Sequence, residues 1–306
     1  MFLPTFSVSS TAEEVATTLA AEIKGKNVLI TGTSRNGIGF ETARVIAKYA
    51  NLVIITGYNL ERLKLSEAIK QEFSSANIRP LVLDLLSLSS VRKTAAEVNT
   101  YSGPLHVLIH NAATPIGPFK PTEDKIESQV ATNHVAPFLP TKPLVPKLLA
   151  TLSSAYIPRV VFVSSAAHAA HAGVFESSLL HPEPATYYTG SGAYFLSKSA
   201  NVPTAIELSK RSGGRINAYS LHPGGVSSSL IRGHKYGSEG AIYRGYAGYE
   251  CILDPDGNPN TEKFPWKVIP EAAATIVVAA FDPRLDGVPG GLSYGLYRVE
   301  QGQGSA

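Results

Sequence analysis

The sequence predicts an α/β protein in three layers, a doubly wound parallel sheet with helices on both faces. Three observations carry that expectation. The apolar runs at 52–56, 78–83, 105–110, 160–164 and 216–221 are continuous rather than alternating, as strands buried on both faces are. Helix-length segments separate strands, among them 39–49, 60–73 and 87–100. A glycine-rich junction closes the first strand, 27–31, and opens the next helix. Repeated β-α-β units with right-handed crossovers make such strands parallel.

Taken in order, Ser10-Thr11-Ala12-Glu13 reads as a capping box, followed by an apolar stripe of Val15, Leu19 and Ile23. This predicts a helical extension over residues 1–24, ended by Lys24-Gly25-Lys26. No linker or low-complexity segment divides the remainder, so 25–306 is expected to be one domain. The rhythm is interrupted over 231–267, where Tyr236, Tyr243, Tyr246, Tyr249 and Trp266 lie among glycines and turn residues. Asp254-Pro255-Asp256-Gly257-Asn258 has its glycine too early, and no terminal Glu in register, for a calcium loop; it reads as a turn. A helix over about 270–281 and a strand over about 292–298 complete the pattern.

Composition narrows the function classes. At 44% hydrophobic and 17% charged, 306 residues can fill a substantial core. A formal charge of +3 gives no reason to expect nucleic acid or an anionic membrane as partner. No apolar run approaches the ~20 residues that cross a bilayer. A single cysteine, Cys251, forbids an intrachain disulfide; with Glu13-Glu14 where a signal peptide would be apolar, this suggests a cytoplasmic protein. No His/Cys/Asp cluster has metal-ligand spacing, so no metal is expected.

Two motifs carry chemistry on their own residue types. In Thr31-Gly32-Thr33-Ser34-Arg35-Asn36-Gly37-Ile38-Gly39, Gly32 permits a tight turn, Gly37 the close approach of a pyrophosphate, and Gly39 helix–strand packing. The N–H groups of the following helix then face the phosphates. Tyr194 and Lys198 are four residues apart and share a helix face, where a cation favours phenolate over phenol.

Together with Asn111-Ala112-Ala113, Asn133, Ser165 and Pro223-Gly224, these motifs resemble the short-chain dehydrogenase/reductase family, a Rossmann-type fold, over about 24–298. The texture of Asn133-His134, Ser164-Ser165-Ala166-Ala167-His168 and His222-Pro223-Gly224-Gly225-Val226 is similar to its retinol-dehydrogenase-like branch, which includes fungal biosynthetic reductases. The resemblance implies roles residue by residue. Tyr194 is the acid in carbonyl reduction and the base in alcohol oxidation, and Lys198 binds the nicotinamide ribose while lowering the Tyr194 pKa. Ser165 holds the substrate oxygen, with Ser164 as the alternative from sequence alone. Asn133 holds a water in a proton relay, or is a polar core residue that distorts its helix. Gly32, Ser34, Gly37, Ile38 and Gly39 form the phosphate loop. Asn111 lines the adenosine-ribose channel, and Asp84 sits beside the adenine or caps the helix after its strand. Val226 and Ser228 contact the nicotinamide carboxamide.

Three departures stand out. The loop holds four residues between Gly32 and Gly37, one more than the family pattern. Strand two ends Thr56-Gly57-Tyr58-Asn59, without the acid that holds an NAD ribose and without the arginine common in NADP enzymes at the Tyr58 position. Arg35 is then a candidate for the 2′-phosphate of NADP, which favours NADP(H) over NAD(H). Finally, Pro137, Pro140, Pro143, Pro146 and Pro203 fall in segments that are helical in the family. An unbroken helix over 133–146 is not expected, since each interior proline costs ~3 kcal/mol. A kink or restart at Pro143 or Pro146 would remove the flat helix-pair interface and leave a monomer, or a dimer through another face.

The reading is an NADP(H)-dependent oxidoreductase that interconverts a carbonyl and an alcohol. Its small-molecule substrate is expected to be moderately large and apolar, under a tyrosine-rich lid at about 229–268, with a place in secondary metabolism. A non-redox epimerase, dehydratase or cyclase on the same scaffold, and a catalytically silent binding protein, are the alternatives.

Overall fold

Alternate residues of each central strand feed two separate cores, which is why the apolar runs have no polar phase. On β1 (Asn27–Ile30), Val28 and Ile30 belong to one buried cluster and Leu29 to the other. The same division holds on β2 (Leu52–Gly57), β4 (Val107–His110), β5 (Arg159–Val163) and β6 (Asn217–His222). The computed structural model describes residues 3–59, 64–170, 188–226, 260, 262, 265–290, 292–294 and 297–298.

The first core is closed by α1 (Ala12–Thr18), α2 (Ala20–Ile23), α3 (Ile38–Ala47) and a C-terminal helix, Ile269–Phe281. Across the sheet, Ala95 and Val98 come from the helix Leu88–Thr100, and Leu144, Leu148 and Ala205 from two later helices. Helices therefore cover both faces, in the three layers expected.

The main sheet runs in the order β10-β9-β6-β5-β4-β1-β2-β3, where β3 is Ile78–Val82, β9 Leu292–Tyr294 and β10 Tyr297–Arg298. All pairings are parallel except β9 with β10. The final strand expected over 292–298 is thus an antiparallel pair. Two short strands, β7 (Gly225–Val226) and β8 (Trp266–Lys267), pair separately. Chain order reverses between β1 and β4, which opens a crevice at their C-terminal ends.

Helices α4 (Leu65–Glu72) and α5 (Leu88–Thr100) follow β2 and β3. After β4, α6 (Ser128–Val130) passes through a π-helical stretch, Ala131–Val135, into α7 (Ala136–Leu149). The helix carrying Tyr194 is α8 (Gly190–Arg211), and the C-terminal one is α9 (Ile269–Phe281).

Two expectations are corrected. The N-terminal capping box is Thr11 with Glu14, one residue later than read: the Glu14 N–H donates to Thr11 Oγ1 and the Thr11 N–H to Glu14 Oε2. The neighbouring serines made both registers plausible. More instructively, α7 does not break at its prolines; Pro140, Pro143 and Pro146 all lie inside it. Pro137 and Pro140 lie on the same buried face as Thr141, Leu144 and Leu148, so they contribute apolar area to the core. One carbonyl that loses its helical donor also finds another. Pro137 has no N–H for the Asn133 carbonyl, which instead accepts Asn201 Nδ2 at 3.0 Å. Separately, Asn99 Nδ2 donates to the Pro143 carbonyl at 3.0 Å and ties α7 to α5. Tertiary packing thus overrides the local penalty, and the helix does not restart at Pro143 or Pro146. Pro203 is likewise accommodated within α8.

Candidate active site

The glycine junction becomes a turn wedged between β1, α3 and the end of β4. Gly32 has a positive φ of 72°, and a Cβ there would lie 2.5 Å from Ala112 Cα. At Gly39 a Cβ would meet Asn111 Nδ2 at 2.3 Å and the Gly32 carbonyl oxygen at 2.6 Å. Within the four-residue span between Gly32 and Gly37, Asn36 takes φ 58°, a conformation that Asn tolerates better than most residues. The Gly37 N–H then closes the turn on the Ser34 carbonyl at 3.1 Å. As the N-cap of α3, Gly37 supplies no side-chain cap, so among the described residues no side-chain oxygen caps the N–H groups of the first turn. Such an end fits a pyrophosphate.

Asn111 locks this loop, donating Nδ2 to the carbonyls of Thr31 and Gly32 at 3.0 Å each. Arg35 is exposed and hydrogen-bonds no described residue. Ser34 and Ile38 are half-buried beside it. Asp84 accepts the Leu86 N–H on Oδ1, whereas the N-cap of α5 is Ser87, which accepts from the Ser90 N–H. The capping role considered for Asp84 therefore belongs to Ser87.

At the C-terminal end of β5 the two serines have different partners. Ser164 is buried and donates Oγ to the Lys198 carbonyl at 2.6 Å, pinning α8 to the sheet. Ser165 is half-buried, accepts the Ala167 N–H on Oγ at 3.2 Å and lies beside the Tyr194 phenol. Burial raises the pKa of Tyr194 above the ordinary tyrosine value, and the neighbouring Ser165 hydroxyl works to lower it. Lys198 is only 2% exposed, and burial brings its ammonium down to about 8. Its Nζ donates to the Val163 carbonyl at 3.0 Å and lies 5.7 Å from the centroid of the Tyr194 ring. One phenol, one hydroxyl and one buried cation thus converge at the mouth of the crevice.

Asn133 sits in the π stretch, with Nδ2 donating to the Thr114 carbonyl and to Ser197 Oγ, and Oδ1 accepting the Thr114 N–H at 2.8 Å. These bonds hold the segment after Asn111-Ala112-Ala113 against α8. Val226 is buried in β7. Ser228, His171, Cys251 and residues 229–259 of the expected lid lie outside the described residues. Of the other histidines, His168 is held through Nδ1 on the Ser165 carbonyl at 2.7 Å, and burial pushes His222 down to about 4.

Residues 26–178 match the family model for short chain dehydrogenases, half of the chain. The chain belongs to the short chain dehydrogenase family. Short-chain dehydrogenase TIC 32 B, chloroplastic, of Brassica napus is 34% identical over 93% of this chain and 84% of its own length. Human retinol dehydrogenase 11 is 34% identical over 70% of this chain and 65% of its own, and mouse polyprenol dehydrogenase 31% over 87% and 74%. These relatives place this short chain dehydrogenase in the retinol-dehydrogenase-like branch. Among solved structures, a short chain dehydrogenase from Escherichia coli CFT073 complexed with NADPH superposes with a TM-score of 0.62 at 20% identity, covering 90% of this chain and 98% of that one. A 3-oxoacyl-[acyl-carrier protein] reductase from Brucella melitensis in complex with NAD gives 0.61 at 16%, covering 89% and 96%.

Sequence reasoning passed over Glu127, Gln129 and Tyr188. All three meet between the segment after β4 and the start of α8. Only the acid ahead of a helix start at Glu127 was visible; the 59 residues between Gln129 and Tyr188 give no local pattern.

Proposed function

We propose that this short chain dehydrogenase is an NADP(H)-dependent oxidoreductase interconverting a carbonyl and an alcohol on a moderately large apolar molecule. The observation that carries the reading is the convergence of the Ser165 hydroxyl, the Tyr194 phenol and the buried Lys198 ammonium, whose Nζ lies 5.7 Å from the centroid of the Tyr194 ring. In the reducing direction Tyr194 gives its phenolic proton to the substrate oxygen. Ser165 orients that oxygen and donates to it as charge develops. The Lys198 charge stabilises the phenolate left behind. Burial of the phenol suits this direction, because it keeps the proton on Tyr194 until the transfer.

The nicotinamide, when bound, supplies or accepts the hydride. Gly32, Ser34, Gly37, Ile38 and Gly39 would hold the pyrophosphate, and Asp84 the adenine end. Lys198 and Tyr194 would hold the nicotinamide ribose, and Val226 and Ser228 the carboxamide. Asn111 acts through the loop, since its NH₂ is spent on Thr31 and Gly32. Asn133 acts as a positioning residue. Arg35, exposed beside the loop, and the lack of a carboxylate over 56–59 support NADP(H). Relatives named for retinol and polyprenol, alcohols with isoprenoid tails, support an apolar substrate.

The test is a fluorescence titration with NADPH and NADH, then a screen of aldehydes and ketones followed by loss of reduced nicotinamide. Tyr194→Phe should lower turnover by a factor on the order of 10² or more while leaving dinucleotide affinity nearly unchanged. Near-wild-type turnover in that variant would remove Tyr194 as the acid.

A further inference from the structure

Six residues before Tyr194, a buried polar knot joins three segments that the proposed mechanism does not use. Glu127 is only 1% exposed. Its Oε2 accepts the N–H groups of Gln129 at 2.9 Å and Val130 at 2.8 Å, capping the start of α6. The Tyr188 phenolic proton is directed between Glu127 Oε1 and the Gly117 carbonyl, each 3.1 Å from the hydroxyl. Gln129, also 1% exposed, donates Nε2 to the Tyr188 hydroxyl at 2.8 Å and to the Gly190 carbonyl at 3.0 Å, with the Gly117 carbonyl at 3.5 Å.

The orientation of that amide is fixed by chemistry. Two of its three neighbours are carbonyl oxygens, which only accept, so turning the amide over would set oxygen against oxygen. Gln129 Oε1 is left buried without a partner among the described residues, an arrangement that costs ~1–3 kcal/mol. A cost of that size is consistent with a requirement for the donor side of the amide. The backbone reinforces the contact: a Cβ on Gly190, the first residue of α8, would lie 2.3 Å from the Gly117 carbonyl oxygen. The Tyr188 ring packs edge-on against Phe119 with centroids 5.3 Å apart.

We propose that Glu127, Gln129 and Tyr188 form a clamp that positions the first turn of α8, and through it the Tyr194 hydroxyl against Ser165. The inference rests on the reading of Tyr194 as the acid–base, and it makes all three positioning residues rather than catalytic ones. The clamp grips Gly190, about one turn ahead of Tyr194, and ties it to the segment that follows Asn111 on the way to α6. The far side of α8 is anchored independently, by Ser164 on the Lys198 carbonyl and Asn133 on Ser197. Loosening the clamp therefore frees the N-terminal turn of α8 and leaves Lys198 in place.

Tyr188→Phe removes the shared hydroxyl and keeps the ring against Phe119. The direct measurement is the titration of Tyr194 in the ligand-free protein by ¹³Cζ-tyrosine NMR, with its resonance identified by its loss in Tyr194→Phe. The clamp requires the Tyr194 midpoint to rise by roughly half a unit or more in Tyr188→Phe, because the phenol moves away from the Ser165 hydroxyl that lowers it. It also requires kcat to fall on the order of tenfold with KM and NADPH affinity changed less than about threefold, a misplaced acid rather than a lost binding site. A Tyr194 midpoint equal to that of the wild type overturns the clamp, whatever happens to kcat. Should Tyr188→Phe not fold, Gln129→Met takes its place, removing the donors at similar volume, with the same two criteria. A wild-type protein without redox turnover would sink the proposed function, while the titration would still decide the clamp.

Discussion

The buried ammonium of Lys198 makes a quantitative prediction for Lys198→Met. Burial brings this lysine from the ordinary 10.5 to about 8. Below about pH 8 both the folded and the unfolded chain hold the proton, and the folded protein bears the full cost of a desolvated cation. Between about 8 and 10.5 the folded state has released the proton and the unfolded state has not, so stability rises with pH across that window. Above it both states are neutral and the cost is gone. At ~1.4 kcal/mol for each pH unit, the cost at neutral pH comes to about 3 kcal/mol. Methionine has similar length and no charge, but it gives up the hydrogen bond to the Val163 carbonyl, worth ~1 kcal/mol. The variant should therefore be about 2 kcal/mol more stable than the wild type at pH 7, and about 1 kcal/mol less stable above pH 10.5. Urea denaturation of both ligand-free proteins at the two pH values measures this, since other titrating groups cancel in the difference. The midpoint should shift upward by roughly 0.5–1 M at neutral pH. A variant less stable than the wild type at pH 7, with a difference that does not change with pH, would show that Lys198 is not held as a buried cation. The same variant should lose turnover, so stability and activity move in opposite directions.

Arg35→Ala should weaken NADPH far more than NADH in a fluorescence titration; equal losses would place Arg35 away from the 2′-phosphate. Gly39→Ala puts a methyl 2.3 Å from Asn111 Nδ2, so Asn111 must release the loop, with a loss of ~1–3 kcal/mol in thermal or urea denaturation and a large fall in dinucleotide affinity. Ser164→Ala and Ser165→Ala separate the two serines. The first leaves the Lys198 carbonyl without its side-chain donor and should cost ~1 kcal/mol of stability, while the second should lower kcat with little change in stability.

What the sequence made legible follows from the range of each signal. The strands were plain because each of their residues is buried on one face or the other, as Val28, Leu29 and Ile30 are. The glycine loop and the Tyr194–Lys198 pair were plain because their geometry is set within a few residues. The prolines misled for the same reason. Their penalty is a local quantity, whereas the gain from seating Pro137, Pro140, Leu144 and Leu148 in the core, and the replacement donor from Asn201, come from residues far away in the chain. Choosing between Ser164 and Ser165 on residue type alone was likewise impossible, because both are hydroxyls and only the fold sends one to the Lys198 carbonyl and the other to Tyr194. Glu127, Gln129 and Tyr188 form a pattern only once α6 and α8 are in contact.

The π stretch at Ala131–Val135 has a consequence for chain length. A π turn is an α-helix holding one residue more than its bonds require, so it is a place where the chain can lose a residue and stay helical. Deleting one residue there would close the stretch into ordinary α turns and leave the parts on either side nearly in phase, whereas the same deletion inside α7 would turn one side against the other by about 100°. Ala136 onward would keep its seat on the core, and Glu127 and Gln129 would stay near Tyr188. The surplus residue is thus absorbed where it stands, and neither half of the rod has to give up its own contacts.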